Sequence, residues 1–315
     1  SKCPRRRPPE VFGLFSSAAL SPPSVALGRS MPALHDLIDL KRYPLTSLTT
    51  AAGRAFLQTV RCELELHGCA VLPGFLKPSA LAAGIAECRR ARAAGMVFSR
   101  ARDHNVYMSP ADDSLPTGHP VHRLQTRTQG YIAYDQLEHS SIFRALYLSE
   151  PLTDFVCAAT QRDLYRSADP IACAPISVME AGQCFPWHFD ENDVTLTLML
   201  QAASEGGTFE FYPRLRSEAD ENIDRVNRIL DDDLDGVVSS PLEPGDLQLF
   251  HGQNALHRVT HVAEDANEPR FLWAPAWNDR PGLVNTVARS TTSYGRALEV
   301  HHQREEIAGR EGLRS

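Results

Sequence analysis

What the sequence lacks narrows the class of protein. Its 315 residues contain seven cysteines, an odd number, and no Cys-x-x-Cys pair. Scattered cysteines of this kind are typical of reduced thiols in an intracellular protein rather than of a disulfide framework. No apolar run approaches the length that spans a membrane, and a net charge of -7 lacks the basic surplus of a nucleic-acid-binding protein. We therefore expect an intracellular, cytoplasmic protein that binds neither nucleic acid nor membrane.

The composition suits one large domain, because 43% of the residues are hydrophobic and a chain of this length can bury a full core. The first 30 residues are basic and rich in turn residues, which predicts a disordered tail. Organellar targeting is the alternative interpretation, since Glu10 is the only acidic residue there. Nothing in the sequence defines an oligomeric state. The predicted organisation is a tail over residues 1–30 and a single domain over 31–315, with a helical part at 31–160, a core at 163–280 and a C-terminal extension at 281–315.

Local patterns predict several elements outside the core. Apolar spacing indicates a helix over residues 50–66 and a strand over residues 68–76. Ser79 is the expected N-cap of an alanine-rich helix that runs to about Gly95. Two short helices are expected within residues 140–161, with a break at Pro151. The pair His301-His302 is expected at the surface.

One short segment, His188-Phe189-Asp190, carries the strongest chemical signal. Residues two apart on an extended segment point to the same side, so one imidazole and one carboxylate can occupy adjacent positions on a metal. A second imidazole from a distant strand would complete a 2-His-1-carboxylate facial triad, a ligand set that leaves one face of Fe(II) open. His251, His257 and His261 are the candidates for this role, and the Val-Thr residues that follow favour His257.

The sequence around these residues predicts strands. Residues 194–200 form a β-branched and apolar run, a Glu-Gly-Gly turn follows, and residues 208–212 alternate clearly. The turn Pro244-Gly245-Asp246 leads into another strand at residues 247–250. We expect His257 near the start of a strand, and Arg270 at the start of the strand that pairs with it.

These residues resemble the Fe(II)/2-oxoglutarate-dependent dioxygenase superfamily, in its prolyl-hydroxylase-like and phytanoyl-hydroxylase-like branch. The resemblance covers about residues 176–277, and the turn between His257 and Arg270 is longer than is common in that branch. It implies a mainly β fold with flanking helices, built on a double-stranded β-helix core (a jelly-roll, cupin-like fold). It further implies Fe(II) held by His188, Asp190 and His257, with 2-oxoglutarate and O₂ as co-substrates. Arg270 would bind the 5-carboxylate of 2-oxoglutarate, because the planar guanidinium suits a carboxylate bidentately.

The implied activity is oxidation of a small molecule, such as an amino acid or a biosynthetic intermediate. Hydroxylation is the default outcome, with desaturation or cyclisation as variants. Halogenation is disfavoured, because a halide needs the coordination position that Asp190 fills and halogenases of this kind carry a small residue there. A protein or peptide side-chain hydroxylase is one alternative. A cupin-like metal-binding protein that does not use 2-oxoglutarate is the other, and such a protein has no need of Arg270.

Other side chains are weighed for supporting roles. Arg258 is the rival of Arg270, but one step from His257 on a strand it should face the other way. A hydroxyl from Thr260 or Tyr212 is a candidate to assist the arginine. The polar stretch from residue 100 to 135 is expected to form a lid or binding loop, and Arg123, Arg127 and Tyr131 are its candidate substrate-binding residues.

Overall fold

The computed structural model describes residues 30–312 except residue 193, and of residues 309–312 it describes the backbone only. Apart from its last residue, the predicted tail lies outside this part of the chain. The α-helices are α1 Leu34–Leu37, α2 Ala51–His67, α3 Pro78–Ala93, α4 Ile142–Leu148, α5 Glu150–Thr160, α6 Ile223–Leu230, α7 Val287–Tyr294 and α8 Glu299–Gly312. The strands are β1 Cys69–Leu72, β2 Phe98–Ser99, β3 Arg102–His104, β4 Gln125–Arg127, β5 Gly130–Ile132, β6 Tyr165–Arg166, β7 Ile176–Met179, β8 Phe185–His188, β9 Thr195–Gln201, β10 Phe209–Tyr212, β11 Val238–Ser239, β12 Leu247–Phe250, β13 Leu256–Val259, β14 Arg270–Trp273 and β15 Trp277–Asn278.

Two antiparallel sheets form the core. The larger has the order β1-β12-β9-β14-β7-β5-β2, and the smaller has the order β11-β10-β13-β8. From β7 to β14 successive strands alternate between the two sheets, except that β11 follows β10 within the smaller sheet and pairs with it. This alternation is the pattern of a double-stranded β-helix. The predicted jelly-roll core with flanking helices is confirmed.

Alternation along the strands of the larger sheet separates its two faces. On β9, Leu196, Leu198 and Leu200 are buried in the main hydrophobic core, which also contains the apolar faces of helices α2 to α5. Because side chains alternate, Thr197 and Met199 point to the opposite face, towards the smaller sheet. The space between the sheets therefore receives polar as well as apolar side chains, and it is where a site can form.

The outer face of the smaller sheet is covered by α6. Val226 and Ile229 of this helix pack with Trp187 of β8 and Leu256 of β13. The neighbouring residues of those strands, His188 and His257, must then face the interior. Burial of the apolar face of α6 thus fixes which way the two histidines point.

Of the two long helices near the N-terminus, α2 begins close to where the sequence predicts, whereas α3 begins earlier than predicted. Thr50 caps α2 by accepting a hydrogen bond from the Gly53 N–H at 3.1 Å, as the predicted boundaries of this helix suggest. The predicted Ser79 cap of α3 is wrong, because the helix begins at Pro78 with Lys77 as its N-cap residue. Proline suits the first helical position, since its missing N–H would have no helical partner there.

Two further expectations are corrected by long-range packing. The strand of Arg270 does not pair with the strand of His257: β14 pairs with β7 and β9, whereas β13 pairs with β10 and β8. The chain crosses from one sheet to the other between them, as a jelly-roll requires. His301 is not a surface residue, because it is fully buried with its Nε2 3.1 Å from the Asp169 carboxylate. No helix in residues 30–312 combines the length and apolarity needed to cross a membrane.

Candidate active site

Two adjacent strands of the smaller sheet bring the histidines of the predicted triad together. His188 ends β8 and lies directly opposite His257 of β13 in the antiparallel register. The register shifts between His257 and Val259, and such bulges re-aim side chains near active sites. The two imidazole ring centres are 4.1 Å apart, and both side chains are buried.

Each imidazole is held by its Nδ1 atom, which leaves Nε2 for a ligand. His188 Nδ1 lies 2.8 Å from the Pro186 carbonyl oxygen, and His257 Nδ1 lies 2.8 Å from the Ala255 carbonyl oxygen. A carbonyl can only accept, so Nδ1 carries the proton and Nε2 is the free acceptor. Burial and the neighbouring His257 lower the pKa of His188 well below its ordinary value. This neutral form is the one that binds metals.

Asp190 supplies the carboxylate between the two imidazoles. Its Oδ1 lies 3.6 Å from His188 Nε2, and its Oδ2 lies 3.5 Å from His257 Nε2. Burial raises the pKa of Asp190, but His257, His188 and the Thr195 hydroxyl, which donates to Oδ2, outweigh burial and lower it. The carboxylate is therefore ionised, as a metal ligand must be.

A glycine that the sequence did not single out makes room for this carboxylate. The Gly252 carbonyl accepts the Asp190 N–H at 3.0 Å, and a Cβ at position 252 would lie 2.2 Å from Asp190 Oδ2. The close approach thus requires a residue without a side chain. Gly252 does not have a positive φ, so no turn signature marks it in the sequence.

Gly252→Ala should weaken iron binding without removing a ligand. The added methyl group displaces the Asp190 carboxylate, and loss of such support typically lowers metal affinity by roughly 10- to 100-fold. The measurement is activity as a function of Fe(II) concentration. Gly118→Ala is the matched control, because a Cβ at Gly118 meets nothing within 4 Å. Equal Fe(II) dependence in both variants would contradict the positioning role of Gly252.

Arg270 is buried on the inner face of the larger sheet and has no anionic partner among the described residues. It opens β14, where Phe271 and Trp273 belong to the helix-covered core, so Arg270 points towards the smaller sheet. Its Nε is buried without a hydrogen-bond partner, and no carboxylate of the described residues forms an ion pair with it. Burial lowers the pKa of Arg270 to about 10, which still leaves it charged at neutral pH. A buried, unpaired guanidinium is costly unless an anion binds it.

The rival residues have other roles in the structure. Arg258 faces outward, where it pairs with Glu210 at 2.7 Å and lies over the Trp187 ring. Tyr212 lies on the outer face near Arg225. Thr260 accepts a hydrogen bond from the Thr208 N–H. Among the described residues, the potential metal ligands that lie close enough together to hold an ion are His188, Asp190 and His257. Neither His251 nor His261 belongs to this cluster.

Of the three predicted substrate residues, one contacts helix α6 and the other two lie next to the predicted metal ligands. Arg123 binds the C-terminal end of α6, with its NH2 atom 2.7 Å from the Asp231 carboxylate and 3.1 Å from the Leu230 carbonyl oxygen. Arg127 and Tyr131 instead lie together beside the triad, and the Arg127 guanidinium donates to the Tyr131 hydroxyl. Arg127 stands 3.7 Å above the ring of Phe185, which stacks on His188 at 3.6 Å. The predicted loop around them contains the short strands β3, β4 and β5.

The donor set fits iron and 2-oxoglutarate. One ligand atom from each of the two histidines and from the carboxylate lies within 4.8 Å of the others. The buried Arg270 has no anionic partner in the described part of the chain. With a jelly-roll core around them, these features define a non-haem Fe(II)/2-oxoglutarate-dependent oxygenase. The chain matches the model of the family described as HalD, Halogenase D, over residues 56–293, and it belongs to that family.

Solved structures with related folds are distant in sequence. The non-haem 2-oxoglutarate-dependent epimerase SnoN of nogalamycin biosynthesis shares 18% identity at a TM-score of 0.49, over 72% of this chain and 83% of that protein. The carbocyclase SnoK of the same biosynthesis shares 17% identity at a TM-score of 0.49, over 76% and 92%. A Pseudomonas putida prolyl-4-hydroxylase shares 16% identity at a TM-score of 0.43, over 71% and 99%. No curated protein sequence matches the chain.

Proposed function

We propose that the protein couples oxidative decarboxylation of 2-oxoglutarate to hydroxylation of a small molecule, such as an amino acid or a biosynthetic intermediate. The observation that carries the proposal is the complete triad, with ionised Asp190 between two imidazoles whose Nε2 atoms are free. Iron with 2-oxoglutarate and O₂ supplies the oxidising power for an unactivated C–H bond. Desaturation and cyclisation remain variants of the same chemistry.

The residues of the chain contribute position, charge and exclusion of water. His188, Asp190 and His257 would hold the metal, and the backbone carbonyls at the two histidine Nδ1 atoms fix the tautomer of each imidazole. Arg270 would hold the 5-carboxylate of the co-substrate. Phe185 stacks on His188, and Phe250 meets His257 edge-on with ring centres 4.9 Å apart. These rings keep the metal-binding imidazoles in a dry environment.

Oxygenation is favoured over the halogenation that the family's description names. A halide would need the coordination position of a carboxylate, and here Asp190 fills that position, with an oxygen directed to each histidine Nε2. Arg270 argues against a cupin-like protein that binds a metal alone, because such a protein would leave a buried arginine without an anion. A peptide hydroxylase of the same chemistry is the remaining alternative.

The proposal is tested in two stages. Anaerobic addition of Fe(II) and 2-oxoglutarate should produce a weak visible charge-transfer band, and absence of the band would contradict the use of this co-substrate. Succinate release is then screened across small molecules and peptides in buffer containing chloride. Mass spectrometry should find a product that has gained oxygen or lost hydrogen. A chlorinated product would establish halogenation instead, and a response to peptides alone would establish the peptide hydroxylase.

A further inference from the structure

A two-stranded ribbon beside the metal ligands presents only basic and neutral groups to them. Strands β3 and β4 pair with Arg102 opposite Arg127 and His104 opposite Gln125. Residues two apart share a face, so these four side chains lie on one face of the ribbon. Asp103 belongs to the other face, where its carboxylate accepts a hydrogen bond from the Thr126 hydroxyl at 2.7 Å.

The face of the ribbon with Arg127 is the one directed at the triad. Gln125 donates through Nε2 to the Trp187 carbonyl oxygen at 3.1 Å, which fastens the ribbon to β8. The ring of His104 meets the ring of His188 edge-on, with centres 6.2 Å apart. The guanidinium of Arg127 lies on the ring of Phe185, and this ring stacks in turn on the imidazole of His188.

Arg127 is buried, and no carboxylate of the described residues forms an ion pair with it. It is 6% exposed, and it donates hydrogen bonds to two neutral groups, the Gln129 side-chain oxygen at 2.8 Å and the Tyr131 hydroxyl. Its Nε is buried with no hydrogen-bond partner in the described part of the chain. Of the buried arginines there, Arg225 pairs with Asp233 at 2.6 Å, whereas Arg127 and Arg270 lack a carboxylate.

The groups around Arg127 do not compensate its charge. Arg102 donates to the Thr292 carbonyl oxygen and the Ser293 hydroxyl, and burial together with Arg127 lowers the pKa of Arg102 to about 10. Burial and the neighbouring cations also lower the pKa of His104. Its Nδ1 lies 2.8 Å from the Asn105 carbonyl oxygen, so its buried and unpartnered Nε2 is an acceptor. A ligand with an anionic group and a hydrogen-bond donor would satisfy both orphaned groups.

We infer that the oxidised substrate is a small molecule that carries an oxyanion group, bound by Arg127 with the Tyr131 hydroxyl, and this inference rests on the proposed function. Arginine binds a carboxylate or a phosphate through its planar fork of donors. The co-substrate has its own arginine, Arg270, on a strand of the larger sheet. Because one ring separates Arg127 from a metal ligand, the C–H bond that is oxidised lies within a few bonds of the anionic group.

The test compares paired probes with the full-length protein, Fe(II) and 2-oxoglutarate. One panel contains L-amino acids and other small carboxylic acids, each beside its primary amide. The second contains small phosphate monoesters, each beside its parent alcohol. At least one anionic probe should stimulate succinate formation and its neutral partner should not, and the panel that responds identifies the anionic group. Equal stimulation by neutral partners, or no response to any anionic probe, would overturn the inference.

Arg127→Met links the response to the residue. It should raise the KM of the responding probe by at least about 30-fold, the effect of removing one partner of a buried charge pair, and leave the anaerobic band intact. The matched control is Arg144→Met, since Arg144 also lies over an aromatic ring, Tyr134, and donates to the backbone carbonyls of Leu137 and Tyr134. An unchanged KM of the responding probe in Arg127→Met would overturn the inference. Loss of the anaerobic charge-transfer band in this variant would also overturn it, because Arg127 would then bind 2-oxoglutarate. If the wild-type protein shows no charge-transfer band, the proposed function is contradicted instead. The paired-probe test uses the wild-type protein, so its result does not depend on whether a variant folds.

Discussion

Asp190→Ala should abolish substrate oxidation. The substitution removes the single anionic ligand between His188 and His257 and leaves two neutral imidazoles to hold a dication. Loss of a mere supporting group around a metal ligand costs about 10- to 100-fold, so loss of the ligand itself should cost more than about 100-fold in turnover. Succinate formation and substrate consumption, both at saturating Fe(II), are the measurements.

The neighbouring acid provides the control for this variant. Glu191 is exposed and forms an ion pair with Arg289, so Glu191→Gln removes a carboxylate one residue away without touching the triad. We expect it to retain turnover close to that of the wild type. Undiminished turnover in Asp190→Ala would rule out the 2-His-1-carboxylate site, and equal losses in both variants would indicate a general effect of charge instead.

The four residues of the proposed site could be predicted from the sequence, the metal ligands from their spacing and strand context and the arginine from the family resemblance. His188 and Asp190 stand two apart in an extended segment, and His257 and Arg270 each lie at the start of a strand bounded by turn residues. Strand alternation depends only on backbone geometry. It therefore also predicted that Arg258 faces away from the site, as its contact with Glu210 on the outer face confirms.

Features that depend on contacts between distant segments could not be read in the same way. The pairing of β14 with β7 and β9 follows from how the sheets close, and residues 176–179 and 195–201 carry no mark of that partner. Gly252 matters because Asp190 approaches it across the site. His301 has an ordinary surface-like context in the sequence, yet it is buried against Asp169, which lies 132 residues earlier in the chain. Tertiary packing decides all three cases.

Arg270→Met should remove the response to 2-oxoglutarate while leaving the protein without co-substrate at least as stable. The guanidinium is buried and has no carboxylate partner among the described residues, so its desolvation is uncompensated until an anion binds. Replacing a buried charge with an apolar side chain of similar volume is often neutral or stabilising. Loss of the pair that forms with the 5-carboxylate should raise the KM for 2-oxoglutarate by at least about 30-fold.

Thermal unfolding separates these two effects. With a divalent metal under anaerobic conditions, 2-oxoglutarate at about 100 times its Kd should stabilise the wild-type protein by about 2.7 kcal/mol, because it binds only the folded state. At the same concentration, a Kd weaker by about 30-fold leaves only about 0.9 kcal/mol of stabilisation, so the Tm shift of Arg270→Met should fall to about a third of the wild-type shift or less. Arg258→Met is the matched control, since Arg258 is paired with Glu210 on the outer face, and it should keep the full Tm shift. If 2-oxoglutarate stabilises Arg270→Met as much as the wild type, Arg270 does not hold the co-substrate, and Arg127 becomes the buried arginine to test in its place.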